Sequence, residues 1–308
     1  MKKALGIDVG GTKISYAIID ENGDFVTKIK KTSTPKTLEE LKETFQTIIS
    51  ENEKDVDYIA FATAGAINLE NTKVESSSPN MPEGYNTIEF TSFSKKPIYV
   101  ENDANAAAWA EYKVGAAKGY ENNVMVTLGT GIGGGIIING EMLRGKSGRA
   151  GEIGHIKIYP DKRRKCNCGT YDCWEAYGSG TGLGRSFKEE ALKNPVSVAT
   201  EGKKIDDLTT YDLIDGFKRN DELCVKVMDM WHNQIITGMV TLNNIFDTEI
   251  FVISGGMGEF INTKTIEDEL NKQTIVSPAK VVLATTGNNA GMLGCALLAI
   301  DQFGKKKK

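Results

Sequence analysis

One pattern occurs twice in this 308-residue chain: a strand-forming run, a glycine-rich turn and a second strand-forming run. It opens the sequence, where Ala4 to Val9 passes through Gly10-Gly11 into Ile14 to Ile19. It restarts where Val124 to Leu128 passes through Gly129-Thr130-Gly131-Ile132-Gly133-Gly134-Gly135 into Ile136 to Ile138. Aliphatic runs broken by Gly-Gly or similar pairs read as hairpins. Two halves that begin alike predict two similar α/β domains facing each other across a cleft, where ligands commonly bind. The hydrophobic fraction of 40% over this length also supplies more core than one compact domain usually holds.

In the first half, the turn Glu21-Asn22-Gly23-Asp24 predicts a third strand over Phe25 to Lys30 and an antiparallel meander. Leu38, Leu41, Phe45, Ile48 and Ile49 follow helical spacing, Tyr58 to Ala62 and Pro97 to Val100 read as strands, and the Ala-rich Ala104 to Tyr112 reads as a helix. In the second half, helices are expected at Leu208 to Phe217 and Asp221 to Phe246, strands at Ile250 to Ser254 and Val281 to Ala284, and a closing helix at Ala290 to Phe303. No Ser/Pro-rich linker or fixed-period repeat divides the chain. The expected division is residues 1–117 with 291–308 against residues 118–290.

Charge excludes one class of partner. Lys and Arg total 37 against 41 Asp and Glu, a net −4, so no broad basic surface exists for nucleic acid. The four lysines at 305 to 308 read as a solubilising tail. No membrane partner is expected either: the longest uncharged stretch, Val281 to Ile300, holds Thr285, Thr286, Asn288, Asn289 and three glycines. The N-terminus meets Asp8 before an apolar leader can build, so a cytosolic location is expected. Thiols stay reduced there, and clustered cysteines then read as metal ligands rather than disulfides.

Such a cluster is present. His155, Cys166, Cys168 and Cys173 form H-x10-C-x-C-x4-C, a complete tetrahedral set for a structural Zn²⁺ with no open position. Cys224 and Cys295 lie in apolar helical contexts and read as packed thiols. His232, among helical residues, reads as an ordinary helix residue.

Asp8-Val9-Gly10-Gly11-Thr12-Lys13 sets two glycines and a hydroxyl at a hairpin tip after a buried strand, where backbone N–H groups can approach a phosphate. Leu128-Gly129-Thr130-Gly131 and Ser254-Gly255-Gly256-Met257 repeat the arrangement. One such turn is an ordinary hairpin; three are poorly explained as turns alone. Asp8 has the hard oxygen chemistry that suits Mg²⁺, directly or through water, and as a bare turn residue it would be a cap.

These motifs, together with Glu101-Asn102-Asp103-Ala104-Asn105 and Glu152-Ile153-Gly154-His155, resemble the repressor, open reading frame and kinase (ROK) family, from about residue 4 to residue 302. The resemblance implies an α/β, two-domain actin-like ATPase fold of the sugar kinase, Hsp70 and actin superfamily, with a cleft between domains. It implies that Asp8, Gly10, Gly11, Thr12 and Lys13, with Thr130 and Gly131, receive ATP phosphates, while Gly255 and Gly256 lie against the adenosine. It further implies that Asn102, Asp103, Glu152, His155 and Glu175 bind a hexose, and that the protein is a homodimer.

Phosphoryl transfer needs a group to take the acceptor proton, and Asp103, where a strand ends and a helix begins, is the candidate base rather than a mere N-cap. A zinc-bound His155 keeps one ring N–H free, and in the family it meets a sugar hydroxyl. On that reading, zinc serves the acceptor site without touching phosphate. The implied activity is transfer from ATP to the 6-hydroxyl of a hexose, glucose foremost. Thr63-Ala64-Gly65 and Ala106-Ala107-Ala108-Trp109-Ala110-Glu111 resemble N-acetylmannosamine kinases instead, which adds Gly65 to the sugar-site candidates and keeps N-acylhexosamine or fructose phosphorylation as alternatives. Ser76-Ser77-Ser78-Pro79-Asn80-Met81-Pro82 departs from the glucokinase pattern. A sugar-responsive repressor would carry a DNA-binding segment ahead of Asp8, and an actin-like filament or chaperone domain would not need the zinc cluster.

Overall fold

The computed structural model describes residues 1–76, 80–193 and 197–304. The lysine tail at 305–308 and the Ser77-Ser78-Pro79 part of the divergent segment lie outside the described residues. The chain packs as two units, one of Met1–Met125, Gly135–Gly151 and the segment from Ala284 onward, the other of Val126–Gly134 and Glu152–Leu283.

The first unit is organised by a five-stranded sheet in the order β3-β2-β1-β4-β7. Its strands are β1 (Lys3–Val9), β2 (Lys13–Asp20), β3 (Lys30–Ser33), β4 (Tyr58–Thr63) and β7 (Ile98–Asn102), with a small hairpin of β5 (Ala66–Ile67) and β6 (Val74–Ser76) beside them. β1 pairs antiparallel with β2, while β4 runs parallel to both β1 and β7. β4 lies between β1 and β7 and every residue in it is buried, as expected for a parallel strand covered on both faces. Helix α1 (Leu38–Asn52) turns Leu41, Phe45, Ile48 and Ile49 onto one face, against Phe61 and Phe90. Helices α2 (Asp103–Val114) and α8 (Ala290–Gly304) cover the other face through Ala60, Ala106, Ala110, Met292 and Ala296.

A second sheet has the matching order β10-β9-β8-β11-β12, from β8 (Asn123–Leu128), β9 (Ile132–Ile138), β10 (Glu141–Met142), β11 (Ile250–Ser254) and β12 (Lys280–Leu283). The second unit also carries α3 (Glu175–Gly178), α4 (Gly180–Lys193), α5 (Thr210–Lys218), α6 (Glu222–Phe246) and α7 (Thr263–Gln273). Trp174 and Trp231 are fully buried there, and their indole N–H groups donate to the carbonyls of Gln234 and Gly178. The doubling read from the two glycine hairpins is therefore a doubling of sheet order.

Two local expectations change, and one helix, α4, was not anticipated. The third strand is Lys30–Ser33, not Phe25 to Lys30: Phe25 keeps a single antiparallel bridge to Ile19, and beyond it the Thr27 hydroxyl, not a backbone carbonyl, accepts the N–H of Ile18. Gly133-Gly134-Gly135 is strand rather than turn, and a Cβ on Gly135 would lie 2.5 Å from that of Ala108, so the glycine admits α2 against the sheet. Helix α4 begins in Gly180-Thr181-Gly182, a sequence with low helix propensity, and its start is held by Ser179, whose hydroxyl accepts the N–H of Gly182. Cys224 and Cys295 are packed thiols as expected. Val281 to Ile300 divides between β12 and α8, and among the described residues no helix is long and apolar enough to cross a membrane.

Candidate active site

In the first unit β1 delivers Asp8 and the turn after it. The N–H of Gly10 donates to the Lys13 carbonyl at 3.0 Å, and Thr34 braces the loop through its hydroxyl on Gly10 O and its N–H on Thr12 O. Thr12 and Lys13 face solvent. Burial pushes the Asp8 carboxyl up to about 6, with the charge of Asp103 adding to the rise and Lys13 opposing it.

β7 runs straight into α2 at the second motif. The cap of α2 is Asn102, whose Oδ1 accepts from Ala104 N at 2.9 Å and Asn105 N at 3.2 Å while its Nδ2 donates to Gly65 O at 3.1 Å. Asp103 is thus the first helical residue, and its side chain is open to solvent. The protein around it raises its pKa, against the backbone N–H groups of Ala104 and Asp103. A carboxylate that is accessible yet disfavoured as an anion is suited to accept a proton.

In the second unit the turn after β8 closes with Gly129 N donating to Gly131 O at 3.0 Å. The start of α4 braces it, Gly180 N on Gly129 O and the Thr181 hydroxyl on Thr130 O, each at 2.8 Å. Gly255, with φ of +87°, lets the third glycine loop fold onto Leu128, whose carbonyl accepts from Met257 N. Thr130 and Gly256 line one cavity of about 720 Å³, together with Tyr211, Ile214 and Lys218 from one face of α5.

His155, Cys166, Cys168 and Cys173 converge, with all ligand atoms within 4.8 Å of one another. Cys168 Sγ lies 3.6 Å from Cys173 Sγ, and Cys166 Sγ lies 3.9 Å from His155 Nδ1. Tetrahedral corners around a zinc with bonds of about 2.0–2.3 Å lie about 3.3–3.8 Å apart, so the donor set is compatible with zinc. Burial raises the Cys166 thiol and the Thr170 hydroxyl lowers Cys168. Lys157 Nζ donates to Cys173 Sγ at 3.1 Å. With Nδ1 toward the sulfurs, Nε2 of His155 faces Glu152 Oε2 at 3.9 Å, and both side chains are substantially exposed. Glu175 does not stand free: its Oε2 accepts the N–H of Ile132 at 3.0 Å and its Oε1 lies 3.6 Å from Cys166 Sγ.

The ROK family model matches residues 4–302. The chain belongs to the ROK family. It is 32% identical to the glucokinase of Streptomyces coelicolor over 315 residues, 97% of this chain and 98% of that one. It is equally identical to the N-acetylmannosamine kinase of Yersinia pestis, over 84% of each chain. The crystal structure of a ROK family glucokinase from Streptomyces griseus in complex with glucose and AMPPNP is 30% identical, with a TM-score of 0.74 over 97% of this chain and 99% of that one. The ROK hexokinase from Thermus thermophilus gives 0.82 at 28% identity, over 98% of this chain and 99% of that one. The fold is that of the actin-like ATPases, and the relatives mark this ROK chain as a sugar kinase.

Sequence reasoning missed the support beneath the ROK motifs. Glu101 is 1% exposed; its Oε1 accepts from Asn102 N and Asn105 Nδ2, and its Oε2 pairs with Arg144 at 2.7 Å. Burial works against the Arg144 cation, and Glu101 outweighs it. Glu101 stood in the Glu101-Asn102-Asp103 motif with no role of its own, marked only as a charge at the end of an apolar strand. Nothing local marked Arg144, or the α5 face that lines the cavity.

Proposed function

We propose that the chain is an ATP-dependent hexose kinase that transfers the γ-phosphoryl group of ATP to the 6-hydroxyl of a hexose, with glucose the favoured acceptor and a cytosolic homodimer the expected assembly. The observation that carries the reading is Asp103: an open carboxylate with a raised pKa, at the first turn of α2, in a helix start whose Asn102 and Asn105 are held by the buried Glu101.

Asp103 accepts the acceptor's hydroxyl proton as the oxygen attacks the γ-phosphorus and the bond to ADP breaks. Glu152 and the Nε2 N–H of His155 offer an acceptor and a donor to sugar hydroxyls, and the remaining amide hydrogen of Asn102 offers a second donor. The phosphates are assigned to the N–H-rich turns at Gly10 to Lys13 and Thr130-Gly131, and the adenosine to the cavity beside Gly255 and Gly256. Asp8 would hold Mg²⁺, and its unfavourable ionisation beside Asp103 is the electrostatics a dication relieves. Bound Mg²⁺ neutralises charge on the transferring phosphates.

Support for glucose comes from the glucokinase relatives at about 30% identity. N-acetylmannosamine is the second reading, on the Yersinia relative and on Gly65, whose carbonyl is held by Asn102. A coupled ADP-release assay across glucose, mannose, fructose, N-acetylglucosamine and N-acetylmannosamine decides. The highest kcat/KM is expected for glucose; a higher value for N-acetylmannosamine replaces the first reading with the second, and no turnover with any of the five defeats both.

A further inference from the structure

Ile132, the residue that leaves the Thr130-Gly131 turn, is bonded through its N–H and closely packed at its carbonyl. Its N–H donates to Glu175 Oε2 at 3.0 Å. Its carbonyl is met by Gly154, where a Cβ would come within 2.2 Å of the oxygen. Gly131 fits only because it lacks a side chain, since a Cβ there would lie 2.3 Å from Glu175 Oε2. Both gripping residues belong to the metal lobe: Gly154 directly precedes His155, and Glu175 follows Cys173 by two residues. The second oxygen of Glu175 lies 3.6 Å from Cys166 Sγ. One carboxylate therefore touches both a metal ligand and the turn assigned to phosphate.

We propose that Glu175 is a positioning residue through which the state of the Cys/His centre sets the affinity of the Thr130-Gly131 turn for nucleotide, independently of any sugar. The inference rests on the nucleotide reading of that turn. A carboxylate beside an anion-binding turn opposes phosphate by its charge, so its presence there needs a structural return. That return is the fixed exit of the turn: a loop whose N–H groups are already ordered loses less entropy when phosphate arrives. With the centre filled, Cys173 and His155 are locked, which fixes Glu175, two residues beyond Cys173, on the Ile132 N–H and Gly154, next to His155, against its carbonyl. With the centre empty, both supports loosen together. This differs from a metal lobe that serves the acceptor alone.

The test is calorimetric titration of a non-hydrolysable ATP analogue into the full chain without sugar, for the metal-replete and chelated forms of wild type, Glu175→Ala and Glu175→Gln. Glu175→Ala is expected to weaken the analogue about tenfold, the scale of one charge-assisted hydrogen bond. Glu175→Gln, whose carbonyl oxygen still accepts from Ile132, stays within about threefold of wild type. Chelation weakens wild type by about as much as the alanine change and adds less than about twofold to it, the non-additivity of a shared path. An alanine variant within about twofold of wild type, or chelation effects that simply add, overturns the inference. Amide exchange in wild type gives a second reading that needs no variant: chelation should speed exchange across residues 129–135, and unchanged exchange there overturns the inference as well. If metal-replete wild type fails to bind the analogue at all, the kinase reading falls first and takes this inference with it.

Discussion

Replacing Glu111 by alanine should destabilise the first unit more than any other single surface-neutral change in α2. Glu111 is 1% exposed, near the end of that helix. Its Oε1 accepts from Thr285 N at 2.8 Å, Thr286 N at 2.7 Å and the Thr286 hydroxyl at 2.6 Å. Its Oε2 accepts from Ala116 N at 2.7 Å and the Thr285 hydroxyl at 3.3 Å. Alanine strands three backbone N–H groups that cannot turn away, whereas the two hydroxyls can. A buried donor left unmet costs about 1–3 kcal/mol, and because Thr285 is exposed and Thr286 and Ala116 are half-buried, water will satisfy part of the set, so the loss should be about 3 kcal/mol. At roughly 2–4 °C per kcal/mol for a cooperative unit of this size, Tm falls by about 10 °C. Glu111→Gln should fall between, because its amide oxygen replaces one carboxylate oxygen while its NH₂ confronts the remaining donors. Thermal unfolding followed by circular dichroism gives Tm, and amide exchange at 116, 285 and 286 localises the damage. An alanine variant melting within about 2 °C of wild type would refute the claim that this carboxylate ties α2 to the segment before α8.

Asp103→Asn should lower kcat by about 10²–10⁴ with the fold intact, and a variant keeping more than about a tenth of wild-type turnover removes Asp103 as the base. Asp8 is held protonated up to about pH 6 against an ordinary 3.8, so folding binds an extra proton between those values and stability falls as pH rises through them. Asp8→Asn should therefore raise stability at pH 7 by about 1–3 kcal/mol, a gain that vanishes near pH 4, while activity is lost; a Tm difference that ignores pH contradicts it. Metal analysis of purified protein should find zinc at about one equivalent, and Cys168→Ser should lose most of it; full zinc in the serine variant would remove Cys168 from the set. Gly294→Ala should cost more than about 3 kcal/mol or prevent folding, because the added Cβ would sit 1.6 Å from the Ala106 carbonyl oxygen; a soluble variant with wild-type Tm would show that α2 and α8 can part cheaply.

By itself the sequence determined what depends on neighbours along the chain. Strand–turn–strand doubling, the glycine turns, the Asn102-Asp103 pair and the cysteine spacing are each written within a few residues or one short loop, so elementary turn and ligand chemistry reads them directly. The third strand was misplaced because the Ile18 N–H goes to a side chain, Thr27, that pattern alone does not distinguish from a strand residue. Only the tertiary structure decided how the site is held. Arg144 reaches Glu101 across 43 residues, Ile132 reaches Glu175 across 43, and Thr285 reaches Glu111 across 174. Glu101 and Glu111 have almost no access to water and Glu175 is half-buried, and a carboxylate so placed keeps its charge where distant donors meet it. Those donors are ordinary N–H groups and one arginine. Nothing about them is visible until the sheets bring them together.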